Sequence, residues 1–187
     1  MKNNSSVSFK TGTPEKENYT PMQSYRLMQL FEEELKDMFW AEKALTKAIP
    51  KMIKYATSIE LMESLTTHLE ETRLQVDRLV YVFSVIGIKP ETNKCQTMEG
   101  LINETVEIME SCEAGSLCDA AIISSAKKIG MYEMASYGIL QQFAETLGLD
   151  EVVMLLEATI QEEEDANDKL SALAMSGVNL ETADIEA

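Results

Sequence analysis

From Leu27 onward the apolar residues Leu27, Leu30, Phe31, Leu35, Met38, Phe39, Leu45, Ile49, Met52 and Ile53 recur mostly at three- and four-residue intervals. That spacing lines one face of an α-helix, whereas a half-buried strand would alternate every second residue. A long first helix is therefore expected from Met22. Pro50 should kink or briefly interrupt it, because proline lacks an amide donor and crowds the preceding turn. The helical period returns in three further long segments. Thr57 and Glu60 form a capping-box pattern that opens a second helix, and GIKP at 87–90 stops it after Ile86 through a left-handed glycine and a following proline. Residues 97–113 read as a short helix that Gly115 breaks. SLCD at 116–119 is another capping-box pattern, heading a third long helix that runs to Gly148, and Asp150 can cap a fourth that ends near Gly177. No segment shows sustained strand alternation.

Four long helices and one short one imply an all-α bundle. Two of the connections are only a few residues long, which makes the helices they join antiparallel neighbours. The third, between the second and third long helices, spans about 29 residues including the short helix and leaves room for a crossover. Ferritin-like antiparallel four-helix bundles are connected this way, and cytokine-like bundles also use long connections. The bundle is expected over residues 22–176. Residues 1–21 are rich in Asn, Ser, Thr, Lys and Pro and read as a flexible tail, as do residues 177–187.

A chain of 187 residues with 45% hydrophobic content can enclose one core. Its net charge of −16 repels nucleic-acid phosphates and anionic membranes and favours cations. No stretch reaches the roughly 18 uncharged apolar residues of a membrane span, and the N-terminus lacks a signal-peptide core. Cys95, Cys112 and Cys118 show neither CxxC nor Cys–His zinc spacing, so they read as reduced thiols of a soluble, cytoplasmic protein.

Against this background two carboxylates are out of place. Glu42 and Glu133 each occupy a position on an apolar stripe. Offsetting the chain against itself by 91 positions aligns residues 34–79 with 125–170 and pairs Glu42 with Glu133, Glu71 with Glu162, and six further identical residues. Each helical hairpin thus carries two carboxylates 29 residues apart. An unpaired buried carboxylate is costly, and a cation held between several of them removes the cost. Di-iron and di-manganese carboxylate bundles draw one Glu from each of two helices and a Glu-x-x-His unit from each of the others. Here the histidine positions of those units, 74 and 165, are Leu and Asp, and the single histidine, His68, stands three residues before Glu71 instead. The expected metal ligands are Glu42, His68, Glu71, Glu133 and Glu162, holding two iron or manganese ions per chain, since oxygen-rich ligation suits those metals better than copper or zinc. The apolar phase of the fourth helix also admits Glu163 as the inward residue; the repeat selects Glu162. The plainer alternatives are amphipathic boundary positions for Glu42 and Glu133, a solvated face for the QEEED run at 161–165, a hydrogen-bonded histidine at 68, and packing roles for Tyr132 and Tyr137.

Several phrases of the chain resemble the YciF-like stress proteins of the ferritin-like superfamily. They are LFEEELKDMFWAEKALTKAIPKM at 30–52, HLEETRLQVDRL at 68–79, IGIKPETNKCQTMEGL at 86–101, MYEMASYGILQQFAETLGLDE at 131–151 and LLEATIQEEEDANDKLSALA at 155–174. The resemblance covers about residues 24–175. It implies a ferritin-like bundle, homodimerisation, a cytoplasmic location and a binuclear metal centre, and it brings no settled reaction. Where family members often read Glu-His-Tyr-Glu on the third long helix, this chain reads Gly130-Met131-Tyr132-Glu133. Two readings of function follow. One is a metal-handling stress protein whose site, if loaded with iron, could oxidise Fe(II) with oxygen or peroxide. The other is a metal-free helical dimer with a structural or interaction role. A storage cage is disfavoured, because no symmetric shell contacts are marked in the sequence.

Overall fold

The structure, a computed structural model, describes residues 20–185, with side chains through residue 176. It consists of α1 (Pro21–Tyr55), α2 (Ile59–Val85), α3 (Gln96–Ser111), α4 (Ser116–Leu147) and α5 (Asp150–Ile185), with no strand among the described residues. The four long helices pack in the cyclic order α1, α2, α5, α4, each against two neighbours, and α3 lies against α1 and α4. The enclosed core is built from the inward rows of these helices: Phe31, Leu35, Met38 and Leu45 of α1, Leu61, Leu65, Leu79 and Phe83 of α2, Ile122, Tyr137 and Leu140 of α4, and Val152 and Leu156 of α5. Phe39 and Phe83 join α1 to α2 edge to face, with ring centroids 5.4 Å apart.

Most helix ends obey the local chemistry, with informative exceptions. The expected N-terminal tail lies outside the described residues up to residue 19. Thr20 and Gln23 close a reciprocal capping box at the start of α1, with Pro21 in the first turn, where its missing N–H is not needed. Pro50 does not interrupt α1, which continues to Tyr55; the buried Ile49 and Met52 on either side hold that turn against the core. Gly87, just past the Ile86 cap of α2, has φ 76°, and Gly148, the cap of α4, has φ 73°, both in the left-handed region that glycine enters without strain. α5 does not end at Gly177. It continues as helix to Ile185, since a glycine inside a helix weakens it by only about 1 kcal/mol.

Neither capping box expected near residues 57–60 and 116–119 forms. Ser58, not Thr57, caps α2, its Oγ accepting from the Leu61 amide at 3.2 Å. Thr57 and Ser58 are instead gripped by Asp119. Its carboxylate accepts from the Thr57 amide at 2.7 Å, the Thr57 hydroxyl at 2.7 Å and the Ser58 amide at 2.8 Å. Asp119, which the sequence assigns to a local cap, is thus the clamp between the α1–α2 turn and the first turn of α4, whose own N-cap is Gly115.

The reading of all three cysteines as free thiols is also corrected. Cys112 and Cys118 are joined in a disulfide across the α3–α4 turn, and only Cys95 is free. The turn at 113–115 folds back and brings their Cα atoms to 5.5 Å, a proximity that spacing alone does not reveal. The thiol argument for a reducing compartment therefore lapses. Among the described residues no helix is long and apolar enough to cross a membrane.

Candidate metal centre

α1 presents Glu42 between Met38 and Leu45, and α4 presents Glu133 between Ile129 and Tyr137; both carboxylates are fully buried. On α5 the inward row runs Val152, Leu156, Thr159, Glu163, Ala166, Leu170, and Glu163 is 1% exposed. On α2 the row from Leu65 and Leu69 to Leu79 is interrupted by His68, Thr72 and Gln75, with Glu71 half-buried beside them. Three long helices thus bring His68, Glu133 and Glu163 together, with one ligand atom from each lying within 4.8 Å of the others. His68 bridges two of the carboxylates: its Nδ1 is 3.7 Å from Glu71 Oε2 and its Nε2 is 3.9 Å from Glu163 Oε2.

The structure turns Glu163 inward, not Glu162. One step along a helix rotates a side chain by about 100°, and that step carries Glu162 out of the core to the α2 interface. There the Arg78 guanidinium grips it with two bonds, Nη2 to Oε1 at 2.7 Å and Nη1 to Oε2 at 2.8 Å. Arg78 also donates to Thr159 Oγ1 at 2.7 Å, and Gln75 Nε2 links the adjacent carboxylates, 2.8 Å from Glu163 Oε1 and 3.1 Å from Glu162 Oε2. The two residues that the 91-residue offset pairs differ in their partners, Glu71 lying beside His68 and Glu162 being held by Arg78. Glu71 and Glu162 are similarly half-buried, with 23% and 27% of the side chain exposed, while the buried partner of Glu163 in the first half is Thr72. Glu163, Gln75 and Arg78 complete the site, and the signal for Gln75 was its place one turn after Glu71 on the inward row.

The electrostatics are those of charge forced together in a dry interior. Burial and the neighbouring Glu163 push Glu42 up to about 8, against the hydrogen bond that Tyr137 donates to Glu42 Oε1. Burial, with Glu163 and Glu42 close by, raises Glu133 well above the usual carboxylate range, and burial also raises Glu163 against the opposing pull of His68 and Gln75. Burial pulls His68 down, but Glu71, Glu163 and Glu42 outweigh it and hold the imidazole above its ordinary value.

A divalent cation fits this donor set. Both oxygens of Glu133, Glu42 Oε2, Glu71 Oε2 and His68 Nδ1 are buried without a hydrogen-bond partner. Buried polar atoms are ordinarily paired, and so many unpaired oxygen and nitrogen atoms converging in one cluster make a donor set suited to a cation. Gly130 adjoins the cluster: a Cβ there would lie 3.6 Å from Glu163 Oε2. Met131, the next residue, is 56% exposed and lies on the outer face of α4.

The family described as Domain of unknown function (DUF892) matches residues 26–183. A relative in Escherichia coli strain K12, Protein YciF, is 41% identical over 146 residues, covering 78% of this chain and 88% of its own. The chain belongs to the DUF892 family of YciF-like proteins. Two solved structures agree. The E. coli stress protein YciF superposes with a TM-score of 0.79 at 39% identity, over 82% of this chain and 97% of that one. YcfI of Rhodopseudomonas palustris, described as a candidate structural protein, superposes with a TM-score of 0.76 at 40% identity, over 82% and 98%.

Proposed function

We propose that this YciF-like chain is a ferritin-like four-helix bundle that holds a binuclear iron or manganese carboxylate centre and serves in handling metal or oxidative stress. The observation that carries the reading is Glu133, fully buried, with neither carboxylate oxygen hydrogen-bonded, beside His68 and Glu163. Glu42, His68, Glu71, Glu133 and Glu163 are the ligands, with Glu163 in place of Glu162. Tyr137 orients Glu42 through its hydroxyl, Gln75 fixes Glu163 through Oε1, and Arg78 keeps Glu162 out of the cluster. The surrounding Met38, Leu45, Ile129 and Leu140 exclude water. Because the carboxyls hold protons more tightly than usual, loading releases protons to solvent. When bound, iron supplies one-electron redox chemistry toward oxygen or peroxide. The stress role rests on the E. coli relative, whose solved structure is that of a stress protein; a cytoplasmic homodimer is what the family resemblance implies.

The test is metal content. Protein loaded anaerobically with Fe(II) and desalted should retain about two ions per chain, the complement of a binuclear carboxylate bundle, and a Glu42→Ala, Glu133→Ala variant should lose them. Wild-type protein that emerges metal-free refutes the reading. A second reading, a metal-free structural or interaction protein, is favoured by the raised proton affinity of Glu42 and Glu133, which lets the cluster exist neutral. It requires the double variant to melt at the same or a higher temperature than untreated wild type.

A further inference from the structure

A cleft of about 430 Å³ opens between α1 and α3, away from the buried carboxylates, and Trp40, Lys43, Lys47, Lys51 and Asn103 are among its walls. The volume falls within the range of small-molecule sites. Ala44 and Ala48 form a low floor between the lysines, and Thr92 and Asn103 add polar groups. The one carboxylate on the wall, Glu99, is neutralised by Lys94 at 2.7 Å.

Three features set this cleft apart from an ordinary solvated helix face. Acidic residues outnumber Lys and Arg by 32 to 16 in the chain, yet none of the three lysines forms a salt bridge among the described residues; only Lys43 has an aromatic contact, its Nζ 4.8 Å from the Phe39 ring centre. They stand at successive i, i+4 positions, where like charges repel along a helix, a frustration that a bound anion would relieve. And they line a concavity whose near end carries an indole, not a convex surface. Successive ammonium stems rise about 6 Å apart, so the three follow an extended anion rather than a single ion. At physiological salt the screening length is about 8 Å, so the local positive charge acts on a ligand inside the cleft while the distant acidic surface is damped.

We propose that this cleft binds a small molecule bearing a chain of phosphates, with Lys43, Lys47 and Lys51 on the phosphates and Trp40 against the remainder of the ligand. A nucleic acid or an acidic protein would meet the whole surface of a chain of net charge −16; a small polyanion meets only the cleft.

Trp40 is the single tryptophan, so its fluorescence reports this site alone. Full-length protein is titrated with ATP and, separately, with inorganic triphosphate at low ionic strength. A saturable fluorescence change with both is expected, and a Lys47→Glu, Lys51→Glu variant should bind roughly ten-fold more weakly or worse, the loss expected for charge-assisted contacts. The single variant Lys47→Glu places an acid between two lysines at i±4, so it should melt at or above wild type while losing affinity, which separates a ligand role from a structural one. No saturable change up to millimolar concentration, or an equal change in the double variant, overturns the proposal.

Discussion

Glu133 is fully buried beside His68 and Glu163, and neither of its oxygens has a hydrogen-bond partner. Replacing an unpaired buried polar group by an apolar one of similar shape is neutral or stabilising. Glu133→Met is therefore expected to raise the stability of the metal-free protein by about 1–2 kcal/mol and to abolish retention of Fe(II); denaturant unfolding and elemental analysis on the same preparation read both. The titration of the cluster has a definite sign. Glu42 takes up its proton near pH 8 in the folded chain against an ordinary value of 4.5, and His68 is also raised, so the folded state binds more protons than the unfolded one. Stability of the metal-free protein is thus greatest below the unfolded value and falls as pH rises from about 4.5 toward 8, by at most about 1.4 kcal/mol per pH unit for each extra proton held. Urea midpoints at pH 5 and pH 8 check this, and a higher midpoint at pH 8 would contradict it. Glu42 and Glu133 were legible as inward residues because each sits on an otherwise apolar row. For Glu162 and Glu163 two signals disagreed: the 91-residue repeat selects Glu162, the apolar phase of α5 admits Glu163, and the packed helices follow the phase, with Arg78, 84 residues from Glu162, holding Glu162 outside the row.

Helix periodicity, with glycine and proline stops between the periodic segments, located all five elements, because both signals are local properties of the chain. The ends were less legible. TSIE and SLCD satisfy the same capping rule, yet Asp119 serves a turn 61 to 62 residues away. Local pattern cannot anticipate that competition: a carboxylate near a helix start can satisfy any amide it reaches, and which amides come within reach depends on how α1, α2 and α4 pack. Asp119→Ala leaves the Thr57 and Ser58 amides without their acceptor and should destabilise the fold by about 2–3 kcal/mol, measured by urea denaturation. Thr57→Ala removes one of the three bonds and should cost about 1 kcal/mol.

Across the molecule, α1, α2, α4 and α5 bring the titratable groups Glu42, His68, Glu133 and Glu163 into one buried cluster. A cation bound only by the folded state stabilises it through mass action, by about 2.7 kcal/mol at one hundred times the dissociation constant. Adding Fe(II) or Mn(II) anaerobically should therefore raise the melting temperature of wild type in a concentration-dependent way and leave Glu133→Met unmoved. Calorimetric scans with and without metal distinguish the outcomes. The linear pattern of residues was sufficient for the all-helical class, the long second connection, the buried Glu42 and Glu133 and the resemblance to YciF-like proteins, because periodicity, spacing and motif are carried along one chain. The rotation of α5 that selects Glu163, the Asp119 clamp, the Cys112–Cys118 bond and the lysine cleft against α3 depended on the packed molecule. Each joins residues that meet only when helices dock, and a fraction of a turn in that docking decides which side chains meet.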